Sequence, residues 1–201
     1  QHARTTEEYE DLLCLIADEC RHLGQLVSQL LQLAEAQSEV LRLSFAPVRL
    51  DEIVQRTVEM FAPVAEERGV TLAERADQPV SILGNRQQLR QLVTNLVDNA
   101  VKFTPSGGRV DVKVETDAAL HRGRLTVSDT GIGIPKEHLP RIFERFYQVS
   151  HARARGTESR GNGLGLSICQ AIVDQHQGTI DVASTPDQGT TFTMTFPLSK
   201  T

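Results

Sequence analysis

The chain has 201 residues, and 21 Lys+Arg against 26 Asp+Glu leave a formal net charge of −5 at pH 7. Hydrophobic residues at 39% and charged residues at 23% are the proportions of a chain that buries a core, which excludes a disordered class, and the acidic balance argues against a protein built to grip nucleic acid. No apolar run reaches the roughly 18–20 residues that span a bilayer, so no membrane contact is expected of this stretch; the three cysteines, Cys14, Cys20 and Cys169, form no CxxC pair and suggest neither a disulfide framework nor a zinc site.

Over residues 7–43, Leu12, Ile16, Leu23, Val27, Leu30, Ala34 and Leu41 recur mostly at steps of three and four or their sums. The spacing predicts a long helix with a coiled-coil-like seam. Thr5 to Glu8 supply hydroxyl and acidic residues at its start, and Phe45-Ala46-Pro47 ends it. A helix of that length cannot bury its stripe alone. An ordinary long core helix is the alternative, but no segment of comparable length is available to cover it.

After Pro47 helices and short strands alternate. Strands are expected at 48–50, 70–74 and 80–83, with a helix over 51–67 capped by Asp51 and stopped by Gly69. A second helix over 85–103 carries Leu89, Leu92, Val93, Leu96, Val97 and Ala100 on one face. Alternation at 109–115 and 124–128 predicts a hairpin-like pair. Residues 129–163 are dense in Gly, Arg and Ser, with one helical piece near 137–143, and a stretch of that length without regular structure suggests a functional lid. A helix over 164–176 and strands at 179–183 and 190–196 close the chain. The expected fold class is α+β, a sandwich with helices on one face of a mostly antiparallel sheet.

Three segments can carry chemistry. In Asp129-Thr130-Gly131-Ile132-Gly133-Ile134-Pro135, a carboxylate at a strand end can accept from an exocyclic amine, and glycines let backbone approach a flat ligand. Many loops share that pattern. Gly161-Asn162-Gly163-Leu164-Gly165-Leu166 opens into a helix, whose N-terminal N–H groups favour phosphate. It has neither Rossmann nor P-loop spacing and equally suits a plain helix start. On the helix over 85–103, Asn95 and Asn99 are stacked four apart with Lys102 one turn on, suited to Mg²⁺ through amide oxygen and to phosphate charge. A solvated polar face beside a leucine stripe is the other reading.

Together these segments resemble the sensor histidine kinases of two-component systems, within the Bergerat-fold ATPase superfamily. Asn95-Leu96-Val97-Asp98-Asn99-Ala100-Val101-Lys102-Phe103 resembles the N box, residues 129–135 the first glycine box, and Phe143-Glu144-Arg145-Phe146-Tyr147 the F box. Residues 161–168 resemble the second glycine box, and Gly189-Thr190-Thr191-Phe192 the terminal Gly-Thr strand motif. The order and spacing match over residues 47–197.

The resemblance implies a Bergerat α/β sandwich over 48–201, with residues 1–44 the second helix of a dimerisation and phosphotransfer domain that forms a four-helix bundle in a homodimer. It implies ATP and Mg²⁺ as cofactors. Asp129 would accept from the adenine amine, Thr190 would support that contact, and Gly131, Gly133 and Ile134 would line the base. Asn99 with Asn95 would hold Mg²⁺, while Lys102 and the segment of Gly161, Gly163, Leu164, Gly165 and Leu166 would meet phosphate. Residues 150–160 would form a lid anchored by buried Phe143 and Phe146, with Tyr147 facing the nucleotide. The implied partner is a response-regulator receiver domain. The implied location is cytoplasmic, within a parent anchored in the inner membrane.

In this family the phosphoacceptor histidine is followed by an acidic residue and, four on, by Pro. None of His2, His22, His121, His138, His151 and His176 has that setting, so the expectation is a fragment beginning after the acceptor. Three functions remain open: a histidine kinase, an ATP-driven conformational machine, or a non-catalytic nucleotide-binding module. Asn95 separates the first two, because the hydrolases of the superfamily carry a glutamate there as general base and an amide has no useful basicity.

Overall fold

The computed structural model describes residues 45–76, 78–117, 119–149 and 163–199. The expected helix over 7–43, the lid over 150–160, Gly161 and Asn162 lie outside them. Along the described chain run β1 (Ala46–Arg49), α1 (Leu50–Glu67), β2 (Thr71–Ala76), β3 (Ser81–Gly84), α2 (Arg86–Phe103), β4 (Arg109–Asp117), β5 (Arg122–Asp129), α3 (Gly165–Gln175), β6 (Thr179–Thr185) and β7 (Gly189–Pro197). A five-stranded sheet has the order β2-β4-β5-β7-β6, parallel only between β2 and β4. The antiparallel pair β1-β3 forms a separate two-stranded sheet, joined to the end of β7 by the bridge from Ile82 to Leu198.

The period-2 pattern of the strands decides which face is covered. Val110, Val112, Val114, Leu125, Val127, Met194 and Phe196 are buried beneath the helices. Their alternates are polar: Lys113 pairs with Glu115, and Arg124 reaches Glu115 and Asp117. The stripe expected on α2 is buried in full, since Leu89, Leu92, Val93, Leu96, Val97 and Ala100 each have 4% exposure or less. Burying such a side chain contributes about 1.5–3 kcal/mol, which is why α2 lies centrally with α1 and α3 on its flanks. No described helix is long and apolar enough to cross a membrane.

Local departures have physical causes. Helix α1 starts at Leu50 with Arg49 at the N-cap and no side-chain cap, not at a capping Asp51. The Asp51 carboxylate is engaged elsewhere: it accepts from Arg49 Nε at 2.9 Å and from the Val80 N–H at 3.0 Å, tying α1 to the strand ahead of α2. Asn85 does cap α2, accepting from the N–H groups of Gln87 and Gln88. Near 137–143 the helical piece contracts to a 3₁₀ turn over Leu139–Arg141, with Pro140 inside its first turn.

Candidate nucleotide site

The end of β5 holds the first half of the site. Asp129 Oδ1 accepts from the Gly131 N–H at 2.8 Å and the Thr190 N–H at 3.2 Å. The second carboxylate oxygen makes no hydrogen bond to a described residue, so it can accept from a ligand. Burial pushes the Asp129 carboxyl above its usual range, and the two N–H donors only partly offset this. Thr190 is itself buried, its hydroxyl 2.9 Å from Ser184 Oγ, which also accepts from the Ile134 N–H at 2.8 Å. Ser184 thus binds the loop of Gly131, Gly133 and Ile134 to the β6–β7 turn.

Gly133 is at φ +65°, and a Cβ there would run into the Thr185 carbonyl oxygen. Its lack of a side chain serves the packing of this loop on the β6–β7 turn. The Ile132 N–H donates to the Phe103 carbonyl at 3.2 Å, which brings the loop to the C-terminal end of α2.

The second half lies on α2 and the start of α3. Asn95 Nδ2 donates to the Gly165 carbonyl at 3.3 Å, while Asn95 Oδ1 accepts from Gln91 Nε2 at 2.8 Å. Asn99 is half-buried, its amide makes no hydrogen bond to a described residue, and its Nδ2 lies 3.9 Å from where a Gly165 Cβ would sit. Two amides one helical turn apart therefore differ: Asn95 is engaged at both its oxygen and its nitrogen, while Asn99 makes no hydrogen bond to a described residue. Leu164 is buried, Leu166 packs at the edge of the core, and no side chain caps the N-terminus of α3. The first N–H groups of that helix lack intrahelical acceptors and point where phosphate can be held.

Lys102 is one turn beyond Asn99, its Nζ over the Phe103 ring at 5.3 Å. Burial lowers its ammonium pKa, Asp98 opposes that and Arg68 adds to it. Arg68 donates from Nη2 to the Lys102 carbonyl at 3.0 Å, and Arg68, Lys102, Phe103 and Ile132 line a pocket of about 500 Å³. Sequence reading missed Arg68, because its approach depends on the packing of α1 against α2. Gln91 was also missed, although its i, i+4 spacing to Asn95 is a local signal.

The F-box segment fastens the start of the second glycine box. The Phe146 N–H donates to the Gly163 carbonyl at 2.8 Å, and Gly163, at φ +66°, has the Phe146 carbonyl carbon 2.6 Å from where a Cβ would sit. Phe143 packs edge-on against Phe192 with centroids 6.5 Å apart. Phe146 departs from the expectation of burial: it is 58% exposed and in the left-handed region at φ 63°. Tyr147 OH lies 2.6 Å from His138 Nδ1, and the Arg141 guanidinium stands 4.3 Å over its ring, so this tyrosine is held by its own segment.

An Asp pinned by two backbone N–H groups stands near an amide and an ammonium one turn apart on the adjoining helix, an arrangement able to meet an exocyclic amine and phosphate charge. Residues 84–200 match the family described as "Histidine kinase-, DNA gyrase B-, and HSP90-like ATPase". The chain belongs to that family.

The domain is 34% identical over 185 residues to the adaptive-response sensory kinase SasA of Rippkaea orientalis, covering 90% of this chain and 45% of that protein. It is 35% identical over 195 residues to the sensor histidine kinase CusS of Escherichia coli K12, covering 97% and 39%. The chain thus spans less than half the length of these curated relatives. Among solved structures, full-length ShkA in complex with AMPPNP superposes with a TM-score of 0.81 at 30% identity, over 99% of this chain and 41% of that one. The mycobacterial sensor histidine kinase MprB gives 0.63 at 29%, over 78% of this chain and 99% of that one. This is the Bergerat-type catalytic ATPase fold of the sensor histidine kinases, as the order of the boxes implied.

Proposed function

We propose that this domain binds ATP with adenine at Asp129 and the phosphates along Asn99, Lys102 and the N-terminus of α3, and that it passes the γ-phosphoryl group to a histidine. The observation that carries the reading is the free oxygen of Asp129, held in place by the Gly131 and Thr190 N–H groups that engage its partner oxygen. A half-buried carboxylate fixed in this way accepts a hydrogen bond from the exocyclic amine of adenine and repels the carbonyl edge of guanine.

Mg²⁺ fits the donor set. Asn99 offers an uncommitted amide whose oxygen would hold the ion beside the phosphates of the nucleotide. When bound, the ion neutralises phosphate charge. Around it, Lys102 holds phosphate oxygens, and the α3 N–H groups orient the terminal phosphate outward. In the transfer, the bond from the γ-phosphorus to the bridging oxygen breaks as a bond to an imidazole nitrogen forms, and ADP leaves with the electron pair. Positioning and charge stabilisation supply the acceleration. The amide at position 95 supplies no general base toward water, which favours keeping the phosphoryl group for the histidine.

From the likeness to sensor histidine kinases we assign residues 1–44 to a dimerisation helix of a homodimer, with a receiver-domain aspartate as the onward acceptor. The same reading puts the domain in the cytoplasm, within a parent anchored in the inner membrane. The test is incubation of the chain with γ-labelled ATP, Mg²⁺ and a separate polypeptide carrying a helix with the family's acceptor histidine. Acid-labile label on that polypeptide is the expected result, and nucleotide binding without any transfer overturns the kinase reading.

A further inference from the structure

Polar contacts join the first half of α2 to the antiparallel helix α3 along the length of α3. At one end the Asn85 N–H donates to His176 Nε2 at 3.1 Å, and Gln88 Nε2 donates to Gln175 Oε1 at 2.7 Å. Midway, Cys169 Sγ lies 3.9 Å from the Leu92 carbonyl. At the other end stands the Asn95 to Gly165 bond, beside the first turn of α3. Only this last contact reaches the phosphate half of the site.

Its chemistry fixes the orientation of the amide. Gly165 presents a carbonyl, which can only accept, so the atom of Asn95 facing it must be Nδ2. Oδ1, the one atom of Asn95 able to ligate a cation, then points to Gln91, whose Nε2 donates to it at 2.8 Å. Gln91 lies four residues earlier on the same helix face and is half-buried, so its own side chain is constrained by packing.

We propose that Gln91 is a positioning residue of the nucleotide site: by donating to Asn95 Oδ1 it locks the Asn95 amide toward the Gly165 carbonyl and so sets the first turn of α3 against α2. This inference rests on the nucleotide reading. Asn95 acts by holding backbone, and the cation is left to Asn99. Without the Gln91 donor, the Asn95 amide keeps only its contacts with the Gly165 carbonyl and Cys169, the 3.3 Å bond to Gly165 loosens, and the phosphate-facing N–H groups lose their register. Adenine binding at Asp129 is untouched.

The test compares Gln91→Met, which keeps length without a donor, with Gln91→Lys, which keeps a donor. Affinities for AMPPNP with Mg²⁺ and for adenosine are measured by calorimetry, and the Asn95 side-chain amide is followed by ¹⁵N NMR. Gln91→Met is expected to weaken AMPPNP binding about tenfold, the worth of one well-placed hydrogen bond, with adenosine affinity unchanged and the Asn95 amide signals shifted. Gln91→Lys is expected to bind AMPPNP within about threefold of the unsubstituted chain. Gln91→Met that binds AMPPNP normally, or that loses AMPPNP and adenosine alike, overturns the proposal. An unsubstituted chain that binds neither ligand defeats the nucleotide reading itself.

Discussion

Asp129 and Thr190 are direct partners in the β5–β7 register, and the Thr190 N–H donates to Asp129 Oδ1 at 3.2 Å. Sheet pairing therefore aims the carboxylate, so its position depends on strands whose buried residues form the core. Burial raises the Asp129 pKa above 3.8, which makes the charged form a net cost to the folded chain at neutral pH. That cost is removed as pH falls through the raised value. Asp129→Asn is expected to raise the Tm of the ligand-free chain at pH 7 while lowering ATP affinity at least tenfold, since an amide nitrogen then faces the adenine amine. Calorimetric unfolding and titration of one sample check both signs.

Asn99→Ala is expected to remove the dependence of nucleotide affinity on Mg²⁺ and leave adenosine binding intact. Parallel titrations of AMPPNP with Mg²⁺ and with EDTA report it. A variant that keeps the full Mg²⁺ response would show that the amide is not a ligand.

Gly133→Ala combines a left-handed backbone with a Cβ driven into the Thr185 carbonyl. The expected loss is about 2 kcal/mol or more of unfolding free energy, read by urea denaturation.

His176 is buried between Phe45, stacked at 4.6 Å between centroids, and the edge of Phe196. Its Nδ1–H donates to the Ile172 carbonyl at 2.7 Å, and its Nε2 accepts from Asn85, so the neutral ring is the form that fits. Burial lowers its pKa below 6.5. The associated stability is complete above that pH and is lost as pH falls through the folded value. Denaturation at pH 7 and pH 5 should show a drop that Gln in place of His176 makes shallower.

Periodicity made most of the fold legible. The α2 stripe is decided by 3.6-residue spacing and the sheet faces by period 2, and both occur where the pattern puts them. Local signals failed where a distant partner outbid them. Asp51 has the chemistry of a cap, yet the Val80 N–H and the Arg49 guanidinium occupy it. Phe146 has the hydrophobicity of a core residue, yet its backbone is bent to meet Gly163 and its ring stands in solvent. In the candidate site, Asp129, Asn99 and Lys102 were singled out in separate segments and brought together by the family resemblance. Ser184 and Arg68 were not, because what gives each its importance is the strand or helix end it meets after folding, whereas Gln91 was overlooked despite its local i, i+4 spacing to Asn95.

The most direct test of the account is an amide NMR titration of the ¹⁵N-labelled chain with AMPPNP and Mg²⁺. The account predicts saturable shifts at Gly131, Gly163, Gly165, Leu166 and Thr190, with the exposed sheet face from Lys113 to Asp117 unmoved. Absence of saturable binding, or shifts confined to residues away from Asp129 and the start of α3, would contradict it.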